Sequence, residues 1–115
     1  MIKVFISQPM RGKTDEEILN ERETATRVIH ALFPNDDIHI IDSINPDHKS
    51  MTPVECLGWS ISCLAKADYI YICDGFYDSN GCCVERDVAE RYSIPTILAP
   101  KVTNYNNRYN DFCCE

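Results

Sequence analysis

The chain has 115 residues, 44% of them hydrophobic and 25% charged, with a formal net charge of −7. That length suits one domain over residues 1–115 with a single core, and that composition argues against wholesale disorder. The acidic balance argues against nonspecific binding to polymeric nucleic acid or an anionic membrane, both of which need clustered Lys and Arg; a small phosphate-bearing ligand is still compatible, since one arginine and a helix start can hold it.

In chain order, residues 2–6 form a short run rich in β-formers, too short and too soon followed by polar residues to be a signal peptide or a membrane span. Thr14 with Glu17 three residues later has the spacing of a capping box, and Ile18, Ala25, Val28, Ile29 and Leu32 follow at helical spacing. Pro34-Asn35-Asp36 ends that helix, and Ile38-His39-Ile40-Ile41 reads as a second strand. Residues 42–52 are polar and contain Pro46, as a loop would. Pro53 suits the first position of a helix, with Val54, Leu57, Ile61 and Leu64 as its buried stripe. Tyr69 to Cys73 is the strongest strand signal; a turn-rich loop runs from Asp74 to Asn80, a third helix from about Gly81 to Tyr92, and a fourth strand over Pro95 to Leu98. The last fifteen residues, rich in Asn and Tyr, are compatible with an edge strand, a tail across the sheet or an oligomer contact.

Strands alternating with helices imply an α/β fold: a flavodoxin- or Rossmann-like parallel sheet of four to five strands with helices on both faces. Seven cysteines is an odd number, and the adjacent pairs Cys82-Cys83 and Cys113-Cys114 lack zinc-site spacing, so the thiols read as small apolar groups in a reducing, cytoplasmic setting. His30, His39 and His48 show no ligand spacing and read as solvated or structural; Trp59 and the strand tyrosines read as core. There is no P-loop and no G-x-G-x-x-G, and no metal or cofactor is expected.

In such a sheet, ligands bind beyond the carboxyl ends of the strands. Three segments converge there: Ser7-Gln8-Pro9-Met10-Arg11-Gly12, the loop from Asp74 through Asp78 and Ser79 to Asn80 and Gly81, and the helix start carrying Glu85. Glu85, four residues after Gly81, falls in or near the first turn, where the helix dipole keeps a carboxylate ionised. Such a carboxylate can be a nucleophile or an electrostatic stabiliser at an anomeric carbon, or simply complement the dipole. Arg11 and Gly12 could anchor an anion, and Ser79-Asn80-Gly81 could hold one or only cap the helix.

The opening Val4-Phe5-Ile6-Ser7-Gln8-Pro9-Met10-Arg11-Gly12 resembles the nucleoside 2-deoxyribosyltransferase-like superfamily. So does the second block, Ala67-Asp68-Tyr69-Ile70-Tyr71-Ile72-Cys73-Asp74, then Ser79-Asn80-Gly81-Cys82-Cys83-Val84-Glu85 and Ala89. The likeness extends to Pro95-Thr96-Ile97 and covers residues 1–100 or so. It implies cleavage or transfer at the N-glycosidic bond of a deoxynucleoside or its 5'-monophosphate, with Glu85 attacking the anomeric carbon. In the similar deoxynucleoside monophosphate N-glycosidases, a first loop like Gln8 to Gly12 and a serine at the Ser79 position hold the 5'-phosphate. The superfamily usually carries an aspartate eight residues before the one matching Asp68; this chain has Ser60 there. Asp74 or Asp78 could then supply the second carboxylate. Without one, the same cleft would suit a non-catalytic binder of nucleotides or ADP-ribose-like signals. The resemblance also implies a homo-oligomer.

Overall fold

A computed structural model describes residues 1–100. Four strands, β1 (Ile2–Ser7), β2 (Ile38–Ile40), β3 (Tyr69–Ile72) and β4 (Thr96–Leu98), alternate with three helices, α1 (Asp15–Leu32), α2 (Pro53–Leu64) and α3 (Asn80–Arg91). The strands form one parallel sheet in the order β2-β1-β3-β4. This is the α/β architecture expected from the alternation, with the order characteristic of flavodoxin-like sheets.

The two central strands carry the longest buried runs, Val4 to Ser7 and Ile70 to Ile72, because both of their faces are covered. Alternation divides the core in two. Phe5, Ile70 and Ile72 pack with Leu64, Cys63, Cys82 and Ala89 of α2 and α3 on one face. Val4, Ile6, Tyr71 and Cys73 pack with Ala25 and Ile29 of α1 on the other. The strand tyrosine Tyr71 is thus a core residue, as its setting in the sequence suggests.

The helix starts follow from local chemistry. Thr14 and Thr52 each close a reciprocal capping box, with Glu17 and Glu55 respectively, and Pro53 occupies the first turn of α2. Glycine is needed at Gly75, whose φ of 85° turns the chain out of β3 into a 3-10 turn over Phe76–Asp78.

Two residues assigned to buried stripes are exposed: Leu32 at 52% and Val54 at 78%. Both lie at helix ends. Eighteen residues of α1 span about 27 Å, whereas the neighbouring three-residue β2 spans about 10 Å. Helix ends therefore overhang the sheet, and the periodicity that marks a buried face says nothing about where the partner surface stops. The final fifteen residues, with Cys113 and Cys114, lie outside the described residues.

Candidate functional site

The chain leaves β1 through α1 to β2 on one side and returns from β2 through α2, past β1, to β3 on the other, so the strand order reverses at β1 and a crevice opens at the carboxyl ends of β1 and β3. A cavity of about 320 Å³ occupies it. Its walls come from four places. The segment after β1 gives Gln8, Met10 and Arg11; the loop after β2 gives Ser43, Ile44, Asn45 and His48; α2 gives Cys56, Trp59 and Ser60; and the start of α3 gives Ser79, Gly81, Cys82 and Glu85.

Glu85 is the only carboxylate among the described lining residues, and it is buried. The hydroxyl of Ser7, at the end of β1, donates to Glu85 Oε1 at 2.6 Å. Burial pushes the Glu85 carboxyl above its ordinary value, while the hydroxyls of Ser7 and Ser60 pull it back down by hydrogen bonding to the ionised form. The position on α3 corrects the dipole argument: Glu85 is the sixth residue of that helix, a turn deeper than the helix start. The dipole's influence fades within the first turn, so two hydroxyls take over its role of favouring the charge.

The segment after β1 is held from behind. Gln8 is buried; its amide donates to the Ile18 carbonyl at 2.6 Å and to Glu21 Oε1 at 3.1 Å. Arg22 donates to Gln8 Oε1 at 3.5 Å and to the Ile41 carbonyl at 3.2 Å, tying α1 to the ends of both β1 and β2. Pro9 is buried, Met10 and Arg11 reach the cavity with exposed side chains, and Gly12, at φ 80°, turns the chain away outside the lining.

Of the anticipated residues, the fold brings Gln8, Met10, Arg11, Ser60, Ser79, Gly81 and Glu85 onto one cavity, with Ser7 beneath Glu85. Asn80, the first residue of α3, is exposed and off the wall. Asp74, between the end of β3 and Gly75, and Asp78, the last residue of the 3-10 turn that follows Gly75, are also exposed and off the wall. They are not placed to supply the carboxylate that Ser60 lacks. Ser79 takes both roles offered for it: its hydroxyl accepts from the Cys82 amide at 3.3 Å as the cap of α3, and it lines the cavity.

Two residues read as bland in the sequence sit on the wall. Trp59, expected in the core, is 41% exposed and lines the cavity. His48, expected to be solvated or structural, also lines it, with its Nδ1 3.0 Å from the Asn45 carbonyl oxygen. Cys56, Trp59 and Ser60 stand at i, i+3 and i+4 on one face of α2, a spacing that groups them without saying whether they meet the sheet or a cavity. The loop residues Ser43, Ile44, Asn45 and His48 carry no periodicity, and only the fold of the loop brings them in.

The five cysteines of the described residues are free thiols. Burial pushes Cys73 up to about 12 and also raises Cys82, which makes them poor nucleophiles at neutral pH. Among the described residues, no group of three or more His, Cys, Asp or Glu could hold a metal ion, and no helix is long and apolar enough to cross a membrane. The cavity thus offers one buried carboxylate, hydroxyls that orient it, a guanidinium, an imidazole and an indole. That set suits attack on, or stabilisation of, an electrophilic carbon in a small polar ligand.

Searches for matching family models and curated proteins find no match. Among solved structures, the chain is similar to a conserved protein from Enterococcus faecalis V583, with a TM-score of 0.61 at 17% sequence identity, over 100% of this chain and 76% of that one. At that identity the likeness supports the α/β fold.

Proposed function

We propose that this protein cleaves or transfers at the N-glycosidic bond of a deoxynucleoside 5'-monophosphate, with Glu85 as nucleophile. The observation that carries the reading is the buried Glu85 carboxylate held by the Ser7 hydroxyl at 2.6 Å in the cavity at the ends of β1 and β3. A carboxylate oxygen attacks the anomeric carbon, and the bond to the base breaks with its electron pair leaving on the base nitrogen. The base takes up a proton, for which the His48 imidazole is a donor on the same cavity. Water, or a second base giving up its proton, then attacks the same carbon and frees Glu85. Arg11, Ser79 and the amides at the start of α3 take the phosphate by charge-assisted bonds. A serine at position 79 is compatible with a dianion where an aspartate would repel it.

One observation favours a second reading, a non-catalytic nucleotide binder: the group from α2 beside Glu85 is the Ser60 hydroxyl and not a second carboxylate. Base release over a panel of deoxynucleosides and their monophosphates separates the two, with calorimetric titration run alongside. Release that disappears in Glu85→Gln supports the glycosidase or transferase; saturable binding with no release supports the binder. The resemblance of the sequence to the nucleoside 2-deoxyribosyltransferase-like superfamily also supports a homo-oligomer, which sedimentation of the purified chain tests, and the cysteine usage supports a reducing, cytoplasmic setting.

A further inference from the structure

Trp59 is a large apolar side chain in a place where the core does not use it. Its helix already seals the sheet with Leu64 and Cys63, fully or nearly fully buried, while Trp59 stays 41% exposed on the cavity wall. Among the described residues it belongs to no ring pair, whereas Phe33 pairs with Tyr69 and Phe76 with Tyr77. Its chain neighbour Ser60 lines the same cavity as Glu85, so the indole hangs beside the reacting end of the site. On the same wall are Cys56, from the previous turn of α2, and Ile44, itself 40% exposed.

We infer that Trp59 is the stacking wall for the ligand's planar aromatic heterocycle and sets the site's preference for ligands that carry one. This rests on the nucleotide reading above and deepens it. A nucleotide's base and phosphate hang from opposite ends of its sugar. The base is bonded to the very carbon that Glu85 addresses, so it must lie beside Glu85. With Arg11 and the start of α3 taking the charged end, the apolar wall of Trp59, Ile44 and Cys56 is left for the flat end. An exposed indole face in such a pocket gains from a stacked base and loses little on desolvation.

Trp59 is the single tryptophan of the chain, so its emission reports this wall alone. Native protein is titrated with thymidine 5'-monophosphate, deoxyguanosine 5'-monophosphate and 2-deoxyribose 5-phosphate, following tryptophan emission and, separately, heat. The same titrations by calorimetry are run on Trp59→Ala and Trp59→Phe, with circular dichroism to confirm the fold. Both nucleotides are expected to change the emission saturably, at the midpoint seen by calorimetry, and the base-free sugar phosphate to leave it unmoved. Trp59→Ala should weaken nucleotide binding by about fivefold to a hundredfold while leaving sugar phosphate binding unchanged, and Trp59→Phe should recover most of the loss. Nucleotides that bind calorimetrically without moving the emission, or that bind a folded Trp59→Ala as tightly as the native chain, would overturn the stacking role while leaving the nucleotide site standing. Absence of any calorimetric binding to the native chain would overturn the nucleotide site, and the stacking role with it.

Discussion

At the scale of single residues, Glu85 carries the largest consequences. Glu85→Gln keeps the shape and an acceptor for Ser7 but removes the carboxylate proposed as nucleophile, and base release should fall by about four orders of magnitude or more. The same change should alter stability in a pH-dependent way. The folded-state carboxyl titrates above its ordinary value, so the fold favours its protonated form; that contribution is complete below the unfolded-state value and is lost as pH rises through the folded one. At neutral pH the native chain therefore carries the cost of a buried charge that the glutamine lacks. Thermal melts should show Glu85→Gln more stable than native at pH 7, with the gap closing as the pH is lowered through the titration of Glu85. A gap that is constant with pH would mean that the carboxyl is not penalised by burial.

Ser60 is the matching test. Its hydroxyl now favours ionised Glu85. Ser60→Asp would place a second carboxyl there, and two acids sharing a site cannot both ionise easily, so the acid limb of the pH–rate profile should move to higher pH. Base release at the new optimum should rise if the second carboxyl protonates the leaving base. A folded variant with an unshifted limb would show that position 60 does not couple to Glu85. Glu85 itself could be picked out in the sequence because a short loop, a glycine and a helix start frame it. Trp59 could not, because a tryptophan on an amphipathic helix reads the same whether it faces a sheet or a cavity.

At the scale of elements, the site depends on how α2 and α3 are set against the strand ends. Helix α2 starts at a capping box whose two hydrogen bonds measure 2.8 and 3.1 Å. Thr52→Ala removes the side-chain half of that box and should cost about 1 kcal/mol, read as a lower midpoint in denaturant with an unchanged slope. Thr14→Ala on α1 should cost a similar amount, since its box has nearly the same geometry. Neither threonine lines the cavity, so base release by the folded fraction should be unaltered in both. These helix starts were legible because capping is local chemistry, complete within four residues. The overhanging ends at Leu32 and Val54 were not, because burial there depends on the length of a strand elsewhere in the chain.

At the scale of the whole molecule, the cavity exists because four separated segments meet where the crossovers diverge. Arg11 belongs to a different segment from Ser79, and only the fold brings the two onto one cavity, as the proposed phosphate site requires. Arg11→Ala should weaken a deoxynucleoside 5'-monophosphate by about tenfold to a hundredfold, a charge-assisted bond being worth ~1.5–3 kcal/mol, and should leave the unphosphorylated nucleoside nearly unaffected. Calorimetric titration of both ligands reads the difference; equal losses for the two would remove the phosphate from the Arg11 side. What the sequence determined by itself was whatever short-range chemistry and periodicity encode: strand and helix order, the capped helix starts, the parallel sheet that follows from their alternation, and the gathering of the segment after β1 and the start of α3 at one end. What only the tertiary structure decided was which side chains face the same space. It put Asp74 and Asp78 outside the crevice, brought His48 and Trp59 onto its wall, and set Glu85 a turn inside α3 under two hydroxyls. Those outcomes depend on loop paths and on distances between residues far apart in the chain, for which local sequence carries no signal.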